Sequence, residues 1–255
     1  MTKPAPSRRF VLVHVGHGAW CWFRLRLLLE ADGREVTCLD LTSAGVHPSD
    51  ADSVVSFEEY DKPLVDFMSS LPENEKVVLV GHSAGGLSLT HIMHEFPEKI
   101  SVAIFIAATM LPSGFLSEQD MKDGIPDLSS FGDVYNLNFS QGTNRPPTSA
   151  SLRKEFQRII LYQSTPEEYS TLASMLLRPW PAQVFSSVSF REEEDVNKIR
   201  RVYIKTARDN MVKPEQQDAM IQRWPPSEVF VMDADHSPFF SAPEELCKLI
   251  FQASI

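Results

Sequence analysis

Residues Gly81 to Gly86 read GHSAGG, a serine between glycines directly after the apolar run KVVLV and directly before LSLTHIMHEF. The form G-x-S-x-G between a strand and a helix is the arrangement that exposes a serine hydroxyl on a sharp turn, ready to attack a carbonyl. The glycines relieve crowding around a strained serine backbone, and the helix that follows aims its free N–H groups toward the reacting centre. A serine hydroxyl is a weak nucleophile at neutral pH and needs an adjacent base. Of seven histidines, His236 in VFVMDADHSPFF follows the last apolar run and precedes the last helical segment, where the base stands in the chain order serine, acid, histidine. His82 is the variable residue of the motif, with a side chain expected to point away from that of Ser83. His91 and His94 lie about one turn apart on the next helix, a spacing open to metal, but no Cys or Asp cluster accompanies them and packed or surface side chains are expected.

An acid must fix the imidazole tautomer and stabilise its charged form. Asp209, Asp233 and Asp235 all stand near strand ends. Asp209, in YIKTARDNMVKPE, follows a strand of its own and can approach His236 from a neighbouring strand end. Asp233 and Asp235 are too close in sequence to His236 to reach its ring from the required side, so Asp209 is the assignment. A tetrahedral oxyanion needs two backbone N–H donors. Ala84, just after the serine, should supply one, and Val15 or Gly16 in the loop after FVLVH the other.

Elements must position these groups. FVLVHV, EVTCLDL, KVVLVG, ISVAIFIAATM, RVYIKTA and EVFVMDA read as strands. Between them WCWFRLRLLLEADG, SFEEYDKPLVDFMSSL, AGGLSLTHIMHEFP, PEQQDAMIQRW and APEELCKLIFQA carry helical spacing. Pro63 is expected in the first turn of its helix or at a kink. Alternation of this kind implies an α/β fold, a parallel sheet covered on both faces, with ligands bound beyond the carboxyl ends of the strands. The rhythm lapses between residues 111 and 191, where QGTNRPPTS is a loop and SLRKEFQRIILYQS and TPEEYSTLASMLL are helical, the latter started by Thr165 and Pro166. We therefore expect a core of residues 1–110 and 192–255 with a helical cap at 111–191, and REEEDVNK as a solvated charged stretch.

The 255 residues and formal charge of −10 suit one domain with an insertion and argue against a nucleic-acid partner. No apolar stretch is long enough to span a membrane. MTKPAPSRR, before the first apolar run, has no apolar signal core, and a cytoplasmic location is expected. Cys21, Cys38 and Cys247 are odd in number, widely spaced and lack a CxxC pair, as structural thiols would be.

FVLVHVGHGAWCW, VTCLDLTSAG, VVLVGHSAGG, YIKTARDNMVKPEQQ and DADHSPFFSAPEELCKLI together resemble the plant methylesterase and hydroxynitrile lyase family, a branch of the α/β-hydrolases with a helical cap. The resemblance covers about two thirds of the chain and is most specific in HGAWCW and GHSAGG. It implies the α/β-hydrolase fold, with Ser83 as nucleophile, His236 as base and Asp209 as acid. It also implies no metal or organic cofactor, a small-molecule ester as substrate and, by family precedent, a homodimer. The loop HVGHGAW is one residue shorter than the family's HGxCHGAW type. The lyase members carry a Thr in that loop and a Lys directly after the catalytic His. Here Val15 and Ser237 stand in those places, so nothing stabilises a departing cyanide and ester hydrolysis is the expectation.

Family members act on methyl esters of hydrophobic acids, among them hormones and alkaloid intermediates, and the short loop and divergent cap suggest a specialised member of the polyneuridine aldehyde esterase type. His17, Phe131, Phe139, Tyr162, Met175, Leu176, Trp180, Ser237, Phe239 and Phe240 are the candidates for an acyl pocket. Two other outcomes stay open on sequence: a capped hydrolase that serves as a small-molecule receptor, and a hydrolase of thioesters or lactones with the same triad.

Overall fold

The computed structural model describes residues 9–185, 188–191 and 194–255. Six parallel strands form its main sheet in the order β2-β1-β3-β4-β7-β8. They are β1 (Arg9–His14), β2 (Glu35–Leu39), β3 (Val77–His82), β4 (Ile100–Ile106), β7 (Arg201–Thr206) and β8 (Glu228–Met232). Both faces of the inner strands are buried, so they read as apolar runs, and their side chains alternate between two cores. Val11, Val13, Val77 and Leu79 face one apolar cluster, while Phe10, Leu12, Val78 and Val80 face the other. Helices α2 (Phe57–Ser70), α3 (Gly85–Glu95) and α8 (Pro214–Arg223) cover the first face, contributing Leu64, Met68, Ile92 and Met220. Helices α1 (Phe23–Ala31) and α10 (Pro243–Ala253) cover the second with Leu25, Leu29, Leu246 and Ile250. Each such side chain fully buried contributes about 1.5–3 kcal/mol relative to exposure.

Pro63 lies well inside α2, past the first turn. Proline cannot donate to the carbonyl four residues back, that of Glu59. Thr42 supplies the missing partner: its Oγ1 donates to Glu59 O at 2.7 Å and its N–H to Tyr60 O at 3.0 Å. The helix tolerates its proline because the loop after β2 caps the break.

Between β4 and β7 the chain forms α4 (Glu118–Gly124), α5 (Lys154–Leu161), α6 (Glu167–Leu176) and α7 (Ala182–Phe185). It also forms a two-stranded antiparallel sheet, β5 (Tyr135–Asn138) with β6 (Ser149–Leu152). The insertion is thus not wholly helical. QGTNRPPTS connects the two strands and enters β6 at Ser149, and Ser151 and Leu152, expected in a helix, belong to that strand. Thr165 does not cap α6, whose N-cap is Pro166 without a side-chain bond. The Thr165 hydroxyl instead donates to Asp235 Oδ2 at 3.0 Å. The expected charged stretch REEEDVNK contains a short 3-10 turn, Glu194–Lys198, whose Val196 is buried; residues 192 and 193 lie outside the described residues. A last short helix, α9 (Pro238–Ser241), follows β8.

Candidate active site

The turn after β3 carries Ser83 at φ +56°, a left-handed conformation that costs a non-glycine residue about 1–2 kcal/mol. Its own backbone bonds hold it there: Ser83 N–H donates to Ile106 O at 3.3 Å, and Ser83 O accepts from Gly86 and Thr109 N–H, each at 3.0 Å. The glycines of the motif are required by close approach. A Cβ on Gly81 would fall 2.4 Å from Leu89 Cδ1 and 2.8 Å from Gly85 O, and one on Gly86 only 2.1 Å from Thr109 O.

His236 follows β8, and its Nε2 lies 3.1 Å from Ser83 Oγ. Its Nδ1 lies 2.9 Å from Asp209 Oδ2, in the turn after β7. With Nδ1–H donating to a carboxylate, Nε2 is left as the acceptor facing the serine hydroxyl. Asp209 is itself held on both oxygens. Its Oδ1 accepts from Met211 and Val212 N–H at 2.8 and 2.9 Å, and its Oδ2 from Thr206 Oγ1 at 2.8 Å. All three side chains are buried, with only Ser83 keeping 9% exposure at the cavity.

The other aspartates are occupied elsewhere. Asp233 is exposed and pairs with Arg208 at 2.7 Å. Buried Asp235 accepts from Ser164 N–H at 2.8 Å and from Thr165 Oγ1, Ser237 N–H and Ser241 Oγ at 3.0, 3.1 and 2.7 Å. It fastens the insertion to the loop that carries His236.

Behind the serine lies a layer of histidines that sequence reasoning did not assemble. Strands β1 and β3 are in register with His14 opposite His82 at their carboxyl ends. His82 Nδ1 lies 2.8 Å from His14 Nε2, and its Nε2 donates to the backbone carbonyl of His236 at 2.5 Å. His82 therefore does point away from Ser83, and it braces the main chain of His236. Burial holds the His14 imidazolium down to about 3 and that of His82 well below its usual range. His17 is likewise lowered by burial, and its Nε2 lies 2.5 Å from Tyr162 Oη.

A cavity of about 510 Å³ opens on Ser83 and His236, and Ala84, Val15, Gly16, His17 and Trp180 also line it. Several expected wall residues stand elsewhere. Met175 and Leu176 turn to solvent at 74% and 40% exposure, because α6 docks through Ala173. Phe239 is buried beneath the histidines, with ring centroids 5.5 Å from His14 and 5.1 Å from His82. Phe240 stacks on Trp20 at 6.1 Å. Tyr162 sits behind His17, Ser237 is buried with its N–H on Asp235, Phe131 packs on the apolar cluster of the α1 face, and Phe139 is half-buried beyond the end of β5. The apolar wall comes instead from residues such as Leu87, Phe115, Leu161, Phe185, Met211 and Val212. Met211 and Val212 were legible in principle, since they stand two and three residues after Asp209.

His91 and His94 make separate contacts. His91 Nδ1 bonds Asp61 Oδ2 at 2.9 Å and its ring stacks on Phe190, while His94 Nε2 donates to Pro112 O at 2.9 Å. Among the described residues no cluster of three His, Cys, Asp or Glu side chains could hold a metal, and no helix is long and apolar enough to cross a membrane.

The model of the Alpha/beta hydrolase family matches residues 10–249. The chain belongs to that family. Methylesterase 17 of Arabidopsis thaliana is 49% identical over 98% of this chain and 94% of its own length. Among solved structures, the methylesterase protein MES16 from Arabidopsis superposes with a TM-score of 0.86 at 39% identity, covering 96% of this chain and 98% of that one. Polyneuridine aldehyde esterase superposes with a TM-score of 0.88 at 33% identity, covering 98% and 100%. The hydrolase is a carboxylic ester hydrolase with methylesterases as its relatives.

Proposed function

We propose that this hydrolase cleaves the methyl ester of a small hydrophobic carboxylic acid through an acyl-enzyme. The observation that carries this reading is the hydrogen-bonded line Ser83–His236–Asp209 at the floor of an apolar cavity. Ser83 Oγ attacks the ester carbonyl as His236 Nε2 takes its proton. The backbone N–H of Ala84, at the N-terminus of α3, and that of Val15 or Gly16 hold the developing oxyanion. His236 then protonates the departing methanol. Water, deprotonated by the same imidazole, attacks the acyl carbonyl and releases the acid. Residues 111–191 act as the cap that covers the acyl group, with Trp180 on its wall.

Both acyl classes suggested by the sequence, a simple hydrophobic acid and an alkaloid carbomethoxy group, belong in the test. The test is methanol release from a panel of hydrophobic methyl esters by wild type and Ser83→Ala. Multiple turnovers that vanish in the variant are expected. Tight ligand binding without turnover on any ester would replace this reading with a receptor.

A further inference from the structure

Four consecutive residues of the insertion, Tyr162 to Thr165, follow α5 and close a tight turn of their own. Tyr162 N–H donates to Arg158 O at 3.3 Å and Thr165 N–H to Tyr162 O at 3.2 Å, while the Arg158 guanidinium donates to Thr165 O at 2.7 Å. The Tyr162 and Thr165 side chains are buried. The turn reaches three loops that leave three different strands. Tyr162 Oη lies 2.5 Å from Nε2 of His17, in the loop after β1. Gln163 Nε2 donates to Arg208 O at 2.8 Å, in the turn after β7. Ser164 N–H and Thr165 Oγ1 donate to Asp235 Oδ2 at 2.8 and 3.0 Å, in the loop after β8.

Each of these partners is the chain neighbour of a reacting group. His17 follows Gly16, Arg208 precedes Asp209, and Asp235 precedes His236. Asn210, just after Asp209, adds a contact in the other direction, its Nδ2 donating to Ile159 O of α5 at 2.8 Å. The loop after β1 needs such an anchor. Gly16 stands at φ +83°, and a Cβ there would meet nothing within 4 Å, so packing at that position does not hold the loop. We infer that the turn Tyr162–Thr165 is the positioning element of the reacting centre: docking of the insertion aligns the oxyanion loop, the acid and the base together. Tyr162, Gln163 and Thr165 are then positioning residues, and none of them lines the cavity. Displacement of a reacting group by about 1 Å can cost about a hundredfold in rate. The inference rests on the serine-esterase chemistry proposed above, but not on the methyl ester as substrate.

The test removes one contact at a time. Tyr162→Phe keeps the buried ring and deletes Oη, and Thr165→Val keeps the volume and deletes Oγ1. Gln163→Met deletes the amide at a half-buried position, where folding is least at risk. Each variant is assayed with the best methyl ester of the panel and with p-nitrophenyl butyrate, an activated ester open to Ser83 whatever the natural leaving group. Each is also titrated with a trifluoromethyl ketone, whose adduct with Ser83 Oγ carries an oxyanion. Tyr162→Phe and Thr165→Val should each lose about ten- to a hundredfold in kcat with KM within about threefold of wild type. Affinity for the ketone should fall in step with kcat, while affinity for the acid product of the ester stays unchanged. Gln163→Met should show the same pattern with a smaller loss, and Thr165→Ser, which restores the hydroxyl, should recover the activity. Met175→Ala, on the solvent side of α6, should leave all of these at their wild-type values. Unchanged kcat and ketone affinity in the contact variants, a loss confined to KM, or an equal loss in Met175→Ala would overturn the inference. Wild-type turnover of p-nitrophenyl butyrate without turnover of any methyl ester would end the methylesterase reading and leave this test intact.

Discussion

Replacing Asp209 by Asn tests whether the carboxylate acts by fixing a tautomer. The new amide has two possible orientations. With its NH2 in place of Oδ1, it would face the N–H groups of Met211 and Val212, which approach Oδ1 at 2.8 and 2.9 Å on a fixed backbone. Donor against donor at both contacts costs about 1–3 kcal/mol for each unsatisfied group. With its NH2 in place of Oδ2, it faces Thr206 Oγ1, which can rotate to accept, and His236 Nδ1. The second orientation wins, and the NH2 then donates to Nδ1. The imidazole must carry its proton on Nε2, where it points at Ser83 Oγ and can no longer take the serine proton. The expected loss is about 10⁴-fold in kcat, equivalent to about 5.5 kcal/mol of activation free energy. Methanol release under saturating ester reads kcat, and urea denaturation alongside should show a folded protein, since the Oδ1 contacts survive. Activity within about tenfold of wild type would refute the tautomer argument and leave Asp209 as packing.

Three further outcomes follow from other contacts. Burial opposes protonation of His91, but its hydrogen bond to Asp61, the Asp61 charge and the charges of Glu95 and Glu58 outweigh it and raise its pKa; the stabilisation is therefore complete below the ordinary histidine range and is lost as pH rises through the raised value. The urea midpoint should fall as pH rises above the ordinary histidine range and this slope should flatten in His91→Phe, whereas parallel profiles would count against the pair. Gly86→Ala places a Cβ 2.1 Å from the carbonyl oxygen of Thr109, whose N–H holds Ser83 O; a loss of about 1–3 kcal/mol in stability is expected together with reduced kcat, and an unchanged variant would mean that the turn can move freely. Arg178→Ala removes a guanidinium that ties the stretch before Trp180 to the carbonyls of His47 and Ser49; denaturation should show a loss of about 2–3 kcal/mol and ester kinetics a raised KM.

The sequence by itself determined the six strands of the main sheet, the order of the reacting groups and the edge on which they meet. Strands buried on both faces must be continuous apolar runs, so KVVLV and RVYIK announce themselves locally. A parallel sheet then brings every residue that follows a strand to one edge, and Ser83, Asp209 and His236 each follow one. Their chemistry was readable because each role admits few side-chain types. Only the tertiary structure decided what lines the cavity. TLASMLL places apolar residues around most of its helix, and docking through Ala173 is what turned Met175 and Leu176 outward. The same holds for the bond from Thr42 to Glu59 that rescues Pro63, for Thr165 bonding Asp235 rather than its own helix, and for His82 bracing His236 from 154 residues away in sequence. Each depends on register or docking between segments distant in the chain. Local periodicity can state which side chains are apolar, but which of them face a ligand is set by the surface each element packs against.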